Sequence, residues 1–163
     1  MTEFDDQLKK AIQRGLRSHD SRQQQAKEQQ MSADDIRRQH NEFRLGISER
    51  IEQTLQSLIH QLPGFEYENI YGERGWGGAV SRDELNIRRG ERVNVYSRLE
   101  VTVKPLSDLN IVNLVAKGTI KNREIFARKD HKPIAEADLD EFLEQVDRWV
   151  LEYAQLYSAA DAP

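Results

Sequence analysis

Hydrophobic positions in this chain recur at helical spacing, switch to strict alternation in the middle, and return to helical spacing at the end. Phe4, Leu8, Ile12 and Leu16 lie four residues apart and form one narrow stripe. Thr2 ahead of Glu3, Asp5 and Asp6 supplies an N-cap and an acidic first turn. Gly15 weakens this helix by about 1 kcal/mol relative to alanine. The apolar signal then stops: residues 17–30, RSHDSRQQQAKEQQ, hold a single apolar residue, Ala26. Such a stretch buries no face, and reads equally as solvated helix, linker or disordered segment.

A second helix is better marked. Ser32-Ala33-Asp34-Asp35 resembles a capping box, with aspartate at the position usually held by glutamate or glutamine. Ile36, Phe43, Ile47, Ile51, Leu55, Leu58, Ile59 and Leu62 follow on one stripe, and Pro63-Gly64 ends it. At 1.5 Å per residue this helix spans about 45 Å. Its spacings mix threes and fours, which predicts packing on a sheet rather than a sustained coiled coil.

From Phe65 the period becomes two. Phe65 and Tyr67 alternate with Glu66 and Glu68 in a short strand, and residues 79–89 offer another, with Leu85 and Ile87 facing alike. In the next strand Val93, Val95, Ser97, Leu99, Val101 and Val103 share one face, and Arg92, Asn94, Tyr96, Arg98, Glu100, Thr102 and Lys104 the other. That alternation predicts one buried and one wet face. After a turn at 105–108, residues 109–120 make a more uniformly apolar strand, and Lys121-Asn122 lead into a last short one at 123–128. Strands joined by short turns predict an antiparallel meander.

Asp138-Leu139-Asp140-Glu141 opens the closing helix with another capping box. Leu139, Phe142, Leu143, Val146, Trp149, Val150, Tyr153, Leu156 and Tyr157 give it a broad apolar stripe, and SAADAP is expected to fray. The fold expected is therefore α+β: long N-terminal helices, a meander of four to five strands and a C-terminal helix, with helices laid on one sheet face in two layers. Residues 1–30 read as a polar helical or partly disordered arm, and 31–163 as a single domain.

Composition narrows the function classes. The chain has 163 residues and no cysteine, which excludes a disulfide framework, a thiolate metal site and a cysteine nucleophile. No apolar run approaches the ~20 residues of a membrane span, and the acidic start MTEFDDQLKK lacks a signal-peptide core. The expectation is a soluble, cytoplasmic protein with no membrane partner. The net charge of -4 is uneven: residues 63–132 carry thirteen basic against ten acidic side chains, and residues 133–163 one against eight. The basic clusters at 88–92 and 121–132 sit near turns, where charges keep sheet edges soluble. With few aromatics and no RNP-type pattern, they argue against nucleic acid as a partner.

Chemistry-bearing motifs are scarce. His40 and His60 share a helix but stand about 30 Å apart, and no paired histidine spacing for a metal occurs. There is no G-x-S-x-G, and the acidic pairs are explained by caps and turns. No cofactor, metal or catalytic residue is expected, and the protein is read as leaning away from an enzyme. The most unusual stretch is Tyr71-Gly72-Glu73-Arg74-Gly75-Trp76-Gly77-Gly78, which matches neither a Walker loop nor a dinucleotide fingerprint. It is read as a loop whose Arg74 and Trp76, with Tyr96 and Arg98 of the wet sheet face, are the candidate ligand-binding residues. The leading reading is a non-enzymatic interaction or assembly module, a homodimer or partner-binding protein that uses Phe4, Leu8, Ile12 and Leu16. The alternatives are a ligand-binding domain or enzyme with a pocket beside Gly72–Gly78, and weak nucleic-acid binding on the basic sheet turns.

Overall fold

A computed structural model describes residues 2–160; the last three residues of the expected frayed end lie outside it. The chain divides into two units, Met1–Arg38 and Gln39–Pro163. Helix α1 runs from Glu3 to Gln61 without interruption, where the sequence reading placed two helices separated by a polar stretch. Helix propagation explains the difference. Between Gly15 and Gly46 there is neither glycine nor proline, and Gln, Lys, Arg, Glu and Ala are good helix formers whether or not they bury a face. Helix α1 stops where Pro63-Gly64 predicts: the Leu62 N–H still donates to the Leu58 carbonyl at 2.9 Å, and Gly64 takes φ of 104°.

In the second unit five strands follow: β1 (Glu66–Ile70), β2 (Trp76–Arg88), β3 (Glu91–Val103), β4 (Ile111–Ile120) and β5 (Arg123–Pro133). They pair antiparallel in sequence order. A 3-10 turn at Ile134–Glu136 leads to helix α2 (Leu139–Ala159). The Asp138 side chain caps α2 by accepting from the Asp140 N–H at 3.1 Å.

The expected alternation in β3 holds from Val95 to Val101, while Thr102, expected on the wet face, is buried. Val95, Leu99, Val101 and Val103 are buried on the face covered by Ile47, Ile51, Leu55 and Leu58 of α1 and by Phe142, Val146, Trp149, Val150, Tyr153 and Tyr157 of α2. Aromatic edges join the layers: Phe65 meets Tyr157 at 5.0 Å between ring centroids, and Phe126 meets Tyr153 at 5.7 Å. The opposite face is open and carries Tyr96, Arg98 and Glu100.

The second half of the expected Gly72–Gly78 loop is strand. Gly77 pairs with Thr102 and Gly78 with Val101, and a Cβ at Gly77 would stand 2.0 Å from the Val101 carbonyl oxygen. Glycine is thus demanded there by close strand approach, not by a mobile loop.

Strands β2 and β3 outrun their neighbours. Their pairing continues to Arg88↔Glu91, whereas β1 stops opposite Ser81 and β4 opposite Arg98. The pair closes through Arg89 and Gly90, both at positive φ (52° and 81°), as a tight two-residue hairpin of right-handed twist requires. The β4–β5 turn uses the same device at Lys121 and Asn122. That turn also caps β3. Asn122 accepts from the Tyr96 N–H on its side-chain oxygen at 2.8 Å, donates its backbone N–H to the Tyr96 carbonyl at 2.8 Å, and donates its side-chain amide to the Asn94 carbonyl at 2.8 Å.

Candidate functional site

Three surfaces hold the residues of interest. The first is the stripe of the N-terminal unit. Helical spacing puts Phe4, Leu8, Ile12 and Leu16 on one side of α1, and they are 68%, 47%, 56% and 59% exposed. Thr2 begins the helix as read from the sequence, its hydroxyl accepting from the Asp5 N–H at 3.3 Å.

The second surface is the open sheet face, where Arg74 and Arg98 come together. Arg74 donates to Glu100 at 3.1 Å, and Arg98 donates to the same carboxylate oxygen at 3.3 Å while pairing with Glu68 at 2.7 Å. Both guanidiniums therefore already have carboxylate partners. Lys104 reaches back to the Arg74 carbonyl at 3.3 Å. Tyr96 stands farther along the same face, 40% exposed. Trp76 does not join them. Its place in the β2 register, opposite Val103, turns it to the helix side, where the Arg44 guanidinium lies over its ring at 4.4 Å. The four residues singled out for ligand binding are thus divided between two faces of one sheet.

The third surface was missed by sequence reasoning. On the outer side of the α1–α2 pair, Thr54, Ser57 and Leu58 face Val150, Leu151 and Ala154 across an apolar groove of about 670 Å³. Its mouth is closed at one end by a two-point ion pair, Arg50 to Asp147, at 2.8 and 2.7 Å. Leu151 is 69% exposed. A signal existed: Leu151 falls off the core stripe of α2, a large apolar residue with no place in the two-layer packing.

Among the buried polar groups His40 stands out. It is 3% exposed, and its Nε2 atom has no partner. Burial lowers its pKa below the ordinary histidine value, and the Arg44 charge one turn away works in the same direction, against a hydrogen bond with the Lys104 backbone. Tyr67, desolvated and near Glu52, is pushed up to about 12. Among the described residues no group of three or more His, Asp or Glu side chains is arranged to hold a metal ion, and no helix is long and apolar enough to cross a membrane.

The chain matches no protein-family model, no curated protein and no solved structure.

Proposed function

We propose that this chain is a non-enzymatic assembly module of the cytoplasm that self-associates through its N-terminal helix. One observation carries the reading: four large apolar side chains on one helical side, each about half exposed or more. Each gives roughly 1.5–3 kcal/mol when fully buried, so a partner surface is strongly favoured. The groove between α1 and α2 supplies a seat of matching size. Phe4 to Leu16 spans twelve residues, as does Arg50 to Leu62 along the groove wall, in each case about 18 Å of helix. Small side chains at Ser57, Ala154 and Ser158 leave room for an incoming helix, the way amphipathic helices seat in grooves. The occupant proposed is the arm of a second copy. Paired charges on the open face support the same reading, since Arg74 and Arg98 offer no unneutralised cation to an anionic ligand.

Multi-angle light scattering on the full chain tests the proposal. The wild-type chain should show a mass above that of one copy, and the Leu8→Glu/Ile12→Glu variant a lower mass with unchanged circular dichroism. Ala154→Glu, at the groove, should have the same effect. A monomeric wild type, or a double variant that keeps the full wild-type mass, overturns the reading.

A further inference from the structure

The protruding part of β2 offers a backbone edge that nothing in the described structure occupies. From Asp83 to Arg88 the strand pairs only with β3, because β1 ends opposite Ser81. Alternate residues along that stretch turn their N–H and C=O groups to the unpaired side. The other edge of the same ribbon is held at Tyr96 and Asn94 by the Asn122 turn described above. A two-stranded ribbon is marginal by itself and gains when further strands join it. Leu85 and Ile87 lie on one face of the ribbon, 59% and 74% exposed, although β-strands normally turn such residues to a core.

We propose that two copies of this chain join their β2 edges antiparallel about a two-fold axis at residue 86, making one continuous sheet. The sequence of the edge is self-complementary in this register. Position 85 of one copy stands opposite 87 of the other, so Leu85 meets Ile87 twice on the same face, as the self-matching of a two-fold contact requires. Position 83 stands opposite 89, which brings Asp83 to the exposed Arg89 of the hairpin tip. The tip then comes to rest at the start of β1, where Glu66 adds a second carboxylate. Shifting the axis to residue 85 sets Leu85 against Leu85 and Asp83 against Ile87, losing the charge match and leaving Ile87 opposite a carboxylate. This contact uses other residues than the arm and stands or falls separately from it.

The chain has no cysteine, so introduced thiols report the register directly. The background carries Leu8→Glu and Ile12→Glu, which removes the arm contact. Directly opposite residues have Cα atoms about 4.5–5.5 Å apart, within disulfide reach, while diagonal neighbours at about 7–8 Å exceed it. Leu85→Cys chains mixed with Ile87→Cys chains should therefore oxidise to a mixed disulfide dimer, and each variant oxidised alone should lose most of that product. Adding Arg89→Glu to both chains should reduce the cross-link, by setting like charges opposite Asp83. Leu85→Cys chains that link to themselves better than to Ile87→Cys chains overturn the register. Equal linkage in every combination, or none, overturns the contact.

Discussion

Valine at position 118 tests how tightly the sheet and α2 are fitted. Gly118 of β4 pairs with Leu99 and Phe126 and faces the helix layer. A Cβ there would stand 3.0 Å from the Phe126 Cβ and 3.0 Å from the Tyr153 ring, so the missing side chain is the space the ring occupies. Tyr153 is fully buried, and its hydroxyl donates to the Thr119 carbonyl at 2.8 Å. In isolation Gly118→Val suits the strand, where β propensities span about 1 kcal/mol in favour of branched residues. Two opposing effects exceed that gain. Overpacking a filled core costs about 1–3 kcal/mol, and a displaced ring leaves a buried hydroxyl without its acceptor, a further penalty of roughly 1–3 kcal/mol. The net expectation is a loss of about 1–5 kcal/mol. Thermal midpoints fall roughly 2–4 °C per kcal/mol in domains of this size, so circular dichroism should record a clear drop. The decisive comparison is a double-mutant cycle in urea. Tyr153→Ala is itself costly, but it vacates the space above residue 118, so Gly118→Val should be much less damaging in that background, with a coupling within the 0.5–3 kcal/mol seen for touching residues. Equal costs in the two backgrounds would refute the assignment of Tyr153 as the reason for glycine.

Further outcomes follow from other parts of the core. Trp149 is 3% exposed, so Trp149→Ala should lose about 3–5 kcal/mol in urea unfolding; an unmoved midpoint would mean α2 does not bury this face. His40 has its pKa lowered by burial, so the unfolded chain binds a proton that the folded chain resists. Its contribution is present above about pH 6.5, the unfolded value, and stability falls as pH drops below it. Comparing thermal midpoints between pH 7.5 and 5 should show a steeper decline in wild type than in His40→Asn, and parallel curves would overturn the assignment. Burial holds the phenol of Tyr67 up at about 12, and burial also raises Tyr153 and Tyr157, so in an ultraviolet titration these phenols should ionise later than free tyrosine, and Tyr67→Phe should shrink that late component without abolishing it.

How much of this was legible in the sequence depended on whether a residue's role is local. The alternation from Val93 to Val103 and the aspartate before α2 are local signals, and the α2 start and the faces of β3, Thr102 excepted, lie where they predict. The length of α1 was not legible, because a polar stretch without an apolar face is compatible with helix and with coil; only the absence of breakers decided it. The Gly72–Gly78 stretch misled for a related reason. Glycine marks loops and close strand approach alike, and only the position of Val101 across the ladder separates them. Arg98 was legible on the wet face, but Arg74 only as a loop residue beside Trp76. That Glu100 already holds both required the register, because residue 74 precedes β2 and its strand partners are 26 positions distant. Trp76 fell on the other face for want of one residue of phase, since strand side chains alternate strictly.

The arm and the ribbon would hold copies together by different forces, and that difference is open to measurement. Burial of Phe4, Leu8, Ile12 and Leu16 in the groove adds no new ion pair, since the charges at its mouth, Arg50 and Asp147, already hold each other. Such a contact weakens on cooling and is strengthened by excluded salts such as sulfate. The ribbon contact instead forms backbone hydrogen bonds and sets Asp83 against Arg89 at an exposed hairpin tip. Exposed charge pairs are screened over about 10 Å at 0.1 M salt and over about 3 Å at 1 M. Added sodium chloride should therefore weaken the ribbon contact while leaving the arm contact nearly unchanged. A chain that uses both two-fold contacts at once does not stop at a dimer, since each copy then has two different neighbours, and rising salt would break its assemblies at the ribbons and leave arm-linked dimers behind.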